Sequence, residues 1–527
     1  MTGHTDLYDV AIVGYGPTGM VAASLLARLN HRVIVCERWP SLYGLPRLTH
    51  IDDETARILQ AACDVDVALR DSSPTEYHWV NASGDELLFI PAQTDGPMGY
   101  PEHISMYQPD IEDALDQRIR SYGTVEHRQG WAVTDLAQDA SGVELVLRPW
   151  MGEGGVGDHD SQRVRASYVI AADGSKSQVR SVLGVSRDDL GFNERWVNVD
   201  TEWLGPMPSE FATCRQYCDP ARGHMTMSIG HQRQRFEFAV LDDEESEQMQ
   251  RPEVAWDWLR ATHDLGPEDL RLVRQIVYVF EARIARSWRV GRVLLAGDAA
   301  HTMPPYLGQG ACSGIRDAAN LAWKLDLVLS GKADDDLLDT YQEERQPHVT
   351  AVTQMAMGLG HIANMHDPEQ AAERDAFMLS GQAPPPPQMP PLLAGVIAST
   401  PDGPEPMAGA LTPQRRLALD GEQGLLDDLL GFGFALVARD DPRGALSDTD
   451  AALLKHIGCR VVHFGTGGAV DVDGAFLPFM DTYGAEAYIA RPDFTAFGMV
   501  QSLAQLGLLI DRLRSALALQ PEAVTLP

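Results

Sequence analysis

Apolar and polar positions change period several times along the chain, and each change marks an element. Residues 8–14, YDVAIVG, form a short apolar run closed by glycine. MVAASLLARLNH (20–31) then spaces its apolar residues as a helix does, and RVIVCE (32–37) is a second unbroken apolar run. Strand, tight turn, helix and strand within about thirty residues predict a βαβ unit with parallel strands. EHISMYQPDIEDALDQRIR (102–120) reads as a loop entering an amphipathic helix, VTDLAQDASGVELVLRP (133–149) as paired strands, and MGEGGVGDHDSQ (151–162) as a solvated hairpin or loop. ASYVIAADG (166–174) is a third parallel-type strand ending at glycine.

From about 185 to 290 the period becomes that of alternating strands, HMTMSIG (224–230) and QRFEFAVL (234–241), with one clear helix, RPEVAWDWLRATH (251–263). This predicts a largely antiparallel sheet inserted in the first domain. GRVLLAGDAA (291–300) returns to the parallel sheet, and SGIRDAANLAWKLDLVLSG (313–331) opens a long helical region. APPPPQMPPL (383–392) fits neither helix interior nor central strand and marks a boundary. Beyond it, GFALVARD, CRVVHFG and EAYIARPD alternate with helices, as in a small α/β domain. The expected organisation is a Rossmann-type α/β dinucleotide domain over 1–184 and 291–382, a sheet domain over 185–290, a proline-rich linker over 383–392 and a last domain over 393–527.

At 527 residues the chain has room for three domains and a buried cofactor. Lys plus Arg number 42 against 75 Asp plus Glu, a net charge of −33, which argues against nucleic acid and anionic membranes as partners. The six cysteines lack a CxxC pair, and Cys214 and Cys218 have no second Cys/His pair at zinc spacing, so no metal site is expected. With no basic leader and no apolar run of about 18 residues, the expected location is the cytoplasm.

GYGPTG (14–19) follows a strand, opens a helix and is followed by Glu37 at the end of the next strand. Gly14, Gly16 and Gly19 permit a tight turn and close approach of backbone to a pyrophosphate. The helix start at Pro17 and Thr18 favours the anion, and Glu37 can accept from ribose hydroxyls. The motif leaves NAD and FAD open. Two more strand-end carboxylates, Asp173 and Asp298, favour the longer ligand, since a ribityl chain gives Asp298 hydroxyls to accept from; the plain alternative for each acid is a helix cap.

GYGPTG, PRLTHIDDE (46–54), ADGSKSQVR (172–180) and GDAAHTMPPYLGQGACSGIRDAANLAWKL (297–325) together resemble the class A FAD-dependent aromatic hydroxylases, closest to the 3-(3-hydroxyphenyl)propionate hydroxylase branch. The likeness extends through CDPARG, RFEFAV and RPDFTAFG, essentially the whole chain. It implies non-covalent FAD, NADH or NADPH as co-substrate, and hydroxylation by O2, through a flavin C4a-hydroperoxide, ortho or para to a phenolic oxygen. It places Gly14, Gly16, Gly19, Glu37 and Arg38 on the ADP half, Arg47 and Gln108 against the flavin, Asp298 on the ribityl chain, and the backbone of Gly308, Gly310, Ala311 and Cys312 along the pyrimidine edge. Pro304 and Pro305 form a wall without N–H donors, and His301 reads as a packing residue. The last domain resembles a thioredoxin-like tail whose lone Cys459 excludes dithiol chemistry, leaving a structural role or a homodimer contact.

The same resemblance sets a small aromatic substrate between the ring and the inserted sheet. His50 and Tyr217 are the candidate proton-handling residues, and Arg215, Tyr217 and Tyr306 the candidate substrate contacts. For an aromatic acid, a carboxylate would need a cation, and Arg215, Arg222, Arg233 and Arg235 lie on the right segment. A tailoring hydroxylase of a polyketide or polycyclic phenol is the alternative within the fold. A non-catalytic FAD-binding regulator is the alternative of a different class.

Overall fold

A computed structural model describes residues 7–157, 160–383, 385 and 388–519. Residues 158–159 of the expected loop, prolines 384, 386 and 387 of the expected linker and the two chain ends lie outside the described residues.

The first sheet is built on the strand Leu7–Val13, flanked in parallel by Val33–Glu37 and Gln162–Ala171; Val125–Gln129 and Val293–Leu295 extend it on either side. Val10, Ala11, Ile12, Val33, Ile34 and Val35 are fully buried, as unbroken apolar runs require when helices cover both faces. The helix Pro17–Arg28 supplies one cover and packs on the long helix Gln309–Leu329. Proline at its first turn has no N–H to waste, and Arg28 sits where the helix dipole favours a cation. At one side Gly142–Pro149 pairs antiparallel with Gln162–Ala171 and, in a hairpin, with Trp131–Asp139.

The second sheet has eight strands and draws on more of the chain than the expected insert. Arg187–Trp203, Cys214–Cys218, His224–Ile229, Arg233–Ala239 and Leu270–Ala285 form its body. One edge is completed by Tyr77–Asn81 and Glu86–Ile90, the former parallel to Cys214–Cys218, and the other by His301–Thr302. The pairing register puts Trp79, Gln216, Met225, Glu237 and Asn198 in one transverse row on one face. Val197, Val199, Phe236 and Phe238 lie on the opposite face, under the helix Pro252–His263.

The C-terminal sheet runs Arg460–His463, Ala435–Ala438, Ala487–Ala490, Ala496–Val500. Its first two strands are parallel across the helix Asp448–His456, the rest antiparallel, and the helix Leu506–Ala516 follows: the β-α-β and β-β-α halves of a thioredoxin-like fold. Cys459 has no disulfide partner. Among the described residues no helix is long and apolar enough to cross a membrane.

Buried ions fasten this domain to the rest. Arg491 bonds Glu344 at 2.7 Å and also pairs with Asp493; Lys324 reaches Glu344 at 2.9 Å, and Asn320 donates to both Glu344 and Asp493. Burial alone would raise the Glu344 carboxyl, but Arg491 and Lys324 hold it at about 2. A second tie is bidentate: Arg57 donates to both oxygens of Asp427 at 2.7 and 2.9 Å, and to the Thr412 carbonyl at 2.7 Å. Such pairs add less than their geometry implies when formed, yet removal of one member strands a buried charge. Arg491→Met is therefore expected to destabilise the protein by about 3–5 kcal/mol, read as a lower urea midpoint. An unchanged midpoint would refute this account of the junction.

Candidate active site

The two glycine-bearing turns meet in space. Gly14 has φ +101°, and a Cβ there would lie 2.3 Å from the Ala172 carbonyl oxygen; one on Gly19 would lie 2.1 Å from the Gly14 carbonyl oxygen. Only glycine allows the first strand, its helix and the strand ending at Ala171 to approach this closely. Gly16 faces open space, as a backbone that receives a phosphate must. Thr18 lies between the halves of the cleft: a Cβ on Gly297 would come within 2.7 Å of its Oγ1, and one on Gly314 within 2.4 Å.

Glu37 is fixed at the end of its strand by the backbone N–H groups of Tyr15 (2.7 Å) and Trp39 (2.9 Å). Arg38 is exposed, its guanidinium beside the rings of Trp39 and Trp150. Asp173 accepts from Ser177 Oγ at 2.5 Å and from the Val179 N–H at 3.1 Å. In this structure it braces the start of the helix Gln178–Val182.

The turn Gly297–Ala299 projects Asp298 into the cleft, where it is exposed. Crowding by surrounding protein raises its carboxyl above the ordinary range against the pull of His301 and Arg47. The turn is held from behind by Asp317, fully buried, which accepts from the Gly297 N–H at 3.0 Å, from His301 Nε2 at 2.7 Å and from Arg345 at 2.9 Å. His301, stacked on Trp288, thus bonds a carboxylate behind the cleft; its role is architectural.

Arg47 is exposed, with its guanidinium 4.2 Å over the Tyr43 ring. Gln108 does not offer its amide to the cleft: Oε1 accepts from the Arg47 and Leu48 N–H groups at 2.8 and 2.7 Å, and Nε2 donates to Glu112 at 2.6 Å. It positions the Arg47 segment. Gly308, at φ +65°, begins the helix Gln309–Leu329 without a side-chain cap, so the first N–H groups of that helix have no partner within it. Gly310 and Ala311 are partly accessible, whereas Cys312 is buried, with Sγ 3.5 Å from the Gly308 carbonyl. Pro304 is buried and Pro305 exposed.

His50 is buried against this loop, and a Cβ on Gly308 would come within 2.5 Å of its Nδ1. Its Nε2 meets His103 Nδ1 at 3.3 Å. Burial and His103 push its pKa down to about 3, so it is neutral at physiological pH. Tyr306 donates to Glu194 Oε2 at 2.6 Å, an oxygen it shares with Trp196 Nε1, and packs beside Trp79.

Two expected residues lie elsewhere. Tyr217 stacks on His224 at 4.2 Å and packs near His263, on the face that the helix Pro252–His263 covers. Arg215, two residues away on the same strand, shares that face. Alternation turns their neighbours Cys214, Gln216 and Cys218 toward the cleft. The residues not expected there are Gln216, Met225, Asn198 and Glu237. A signal did exist: Glu237 stands between Phe236 and Phe238, a lone acid on the opposite face from two core aromatics.

Comparison with known proteins agrees with the geometry. Residues 7–356 match the family described as FAD binding domain, and residues 409–516 match the HcaD C-terminal domain. The chain is 38% identical over 532 residues to the "Probable NADH-specific resorcinol 4-hydroxylase" of Rhodococcus jostii (strain RHA1), covering 98% of this chain and 97% of that one. It is 35% identical over 470 residues to the "3-(3-hydroxy-phenyl)propionate/3-hydroxycinnamic acid hydroxylase" of Mycobacterium avium (strain 104), covering 86% of this chain and 80% of that one. Aklavinone-11 hydroxylase, solved with FAD and aklavinone, superposes with a TM-score of 0.78 at 25% identity, covering 98% of this chain and 100% of that one. The glycine cradle fits a dinucleotide, the exposed Asp298 fits the chain beyond it, and the family match spans both turns. The chain belongs to the FAD-binding aromatic monooxygenases, the class A flavoprotein hydroxylases.

Proposed function

We propose that the protein is an NADH-dependent monooxygenase that adds one hydroxyl to a small, uncharged phenol of the resorcinol type. The observation that carries this reading is the state of the cations on the substrate segment. Arg235 is buried and fully engaged, with Nε on Asp200 (2.7 Å), Nη1 on the Arg47 carbonyl (2.7 Å) and Nη2 on the Pro46 carbonyl (3.0 Å). Arg222 is committed to Glu244 and the Ala239 carbonyl, Arg233 to Asp71, and Arg215 lies on the opposite face. A carboxylate reaching for Arg235, Arg222 or Arg233 would have to displace a carboxylate partner, and for Arg235 and Asp200 that strands a buried charge. The name of the Rhodococcus relative supports both the phenol and NADH. The arylpropionate reading rests on relatives such as the Mycobacterium avium protein and needs one arginine to be released.

FAD, when bound, takes two electrons from the nicotinamide and activates O2, so that one oxygen atom enters the ring ortho or para to a phenolic oxygen and the other leaves as water. The chain's own residues supply position and charge. Gly14, Gly16 and Gly19 admit the pyrophosphate to the start of the helix Pro17–Arg28, and Glu37 stands ready for ribose hydroxyls. Asp298 would accept from ribityl hydroxyls, and Arg47 lies near enough to feel its charge. The uncapped N–H groups after Gly308 would offer donors to negative charge on a bound flavin ring. Pro304 and Pro305 close one side without adding donors. The six cysteines carry no disulfide, which suits a reducing compartment, and we assign the enzyme to the cytoplasm.

Two measurements test this reading. Resorcinol is expected to accelerate NADH oxidation by about 10-fold or more, about 1.4 kcal/mol in barrier, with O2 uptake and a trihydroxybenzene product. A phenol panel that leaves oxidation of the yellow protein unstimulated would sink the proposal. Asp298→Ala is expected to weaken FAD retention about 10-fold, the loss of one hydrogen bond to a charged group, read as flavin fluorescence released on dilution. Native retention in that variant would remove the ribityl contact.

A further inference from the structure

The transverse row Trp79, Gln216, Met225, Glu237, Asn198 holds a polar pair, Glu237 and Asn198, and its other members carry no charge. Asn198 Nδ2 donates to Glu237 Oε1 at 2.7 Å. That bond fixes which end of the amide is which and leaves Asn198 Oδ1 buried without a partner. Glu237 Oε2 accepts no hydrogen bond from any described residue. Both side chains are at least nine-tenths buried, Glu237 at 5% exposure and Asn198 at 3%. Asn198 Oδ1 thus lies buried without a donor, a costly arrangement unless a ligand supplies one, and Glu237 Oε2 has its acceptor capacity unused.

The pair lies on the sheet face that meets the flavin loop. Glu237 is close enough to Tyr306 and Cys214 to act on both electrostatically, and Met225 beside it in the row is only half-buried. The row's other polar member, Gln216, turns its Nε2 away to the His224 carbonyl at 3.1 Å. Arg235, in the next row, approaches Glu237 no closer than 3.8 Å and is already bound to Asp200.

We propose that Glu237 and Asn198 are the substrate-binding pair that accepts hydrogen bonds from ring hydroxyls and excludes aryl carboxylates, making them the specificity determinant of this hydroxylase. The inference rests on the reading of the substrate as a phenol and deepens it. Glu237 Oε2 takes the hydrogen bond of one hydroxyl and Asn198 Oδ1 that of a second, which suits hydroxyls set meta on one ring. With Glu237 ionised, a carboxylate carried to the same place would meet two oxygens and no free donor. Burial, opposed by Arg235 and aided by Asp200, pushes the Glu237 carboxyl up to about 7. The other charged or titratable groups around it are Arg274 on the strand Leu270–Ala285, Cys214 and Tyr306. Below about pH 7 the acid is neutral and repels an anion less; above it, the carboxylate is the stronger acceptor.

The test is ligand binding to the FAD-loaded protein, followed by perturbation of the flavin absorbance and independent of turnover. Resorcinol is expected to bind the native protein more tightly at about pH 8 than at about pH 6, and 3-(3-hydroxyphenyl)propionate the reverse. Glu237→Gln is expected to weaken resorcinol about 10-fold or more, flatten both pH dependences and admit the propionate better. Asn198→Ala, which leaves the acid in place, should weaken resorcinol with less effect on the propionate, and Glu237→Asp should restore part of the affinity. Native affinities and pH dependences in a Glu237→Gln protein that retains its flavin would overturn the proposal. If Glu237→Gln loses flavin, Asn198→Ala decides, and a native affinity for resorcinol in that variant overturns the proposal. A native protein that binds phenols by these rules without hydroxylating them would instead fault the proposed function and leave the pair standing.

Discussion

The cleft depends on the charge of one residue that never reaches it. Asp317, fully buried in the long helix Gln309–Leu329, gathers the Gly297 N–H, His301 and Arg345 around two oxygens. Burial would drive its carboxyl up, but His301 and Arg345 hold it at about 2, so the charge persists across the physiological range. Through those three bonds the turn bearing Asp298, the short strand entering the second sheet and the helix Thr340–Ala363 are referred to one point. Thr18 then sets the first glycine turn against the same assembly. A ligand spanning both turns meets surfaces whose spacing is already settled, which is the condition for holding a reactive ring without large ordering costs.

The C-terminal domain acts on the same helix from its far end. Lys324 and Asn320 lie on Gln309–Leu329 and join the buried network of Glu344, Arg491 and Asp493. One helix therefore presents its uncapped start to the cleft and its later turns to the other domain. The domain without a reactive dithiol has a mechanical place: it closes the back of the helix on which the cleft is built.

Much of this was legible in sequence because it is local. The period of YDVAIVG, the glycines of GYGPTG and the strand ends before Asp173 and Asp298 depend on neighbours a few residues away. What escaped was set across space. Alternation along CRQYC separates Arg215 and Tyr217 from Cys214, Gln216 and Cys218, but which set meets the cleft depends on the helix Pro252–His263 covering the other. The resemblance sets Gln108 against the flavin, and in the structure its Oε1 accepts from the Arg47 backbone 61 residues away. Asp173 accepts from Ser177 and Val179 at a helix start, contacts set by residues four and six positions on. Glu237 carried its signal in one strand, yet its partner Asn198 is 39 residues distant.

The second sheet borrows its edge from the dinucleotide part, with Tyr77–Asn81 lying parallel to Cys214–Cys218. That loan makes the substrate side non-modular. Cut out as 185–290, the segment would leave the backbone N–H and C=O groups of Cys214–Cys218 unpaired along an open edge, an invitation to pair with another chain. Recombination between relatives that swaps only this segment would preserve every residue of the inserted strands and still mismatch Trp79 against Gln216. The unit that can be exchanged is discontinuous, the insert together with the hairpin around residues 77–90, and changes of substrate in such a fold must keep the two in register.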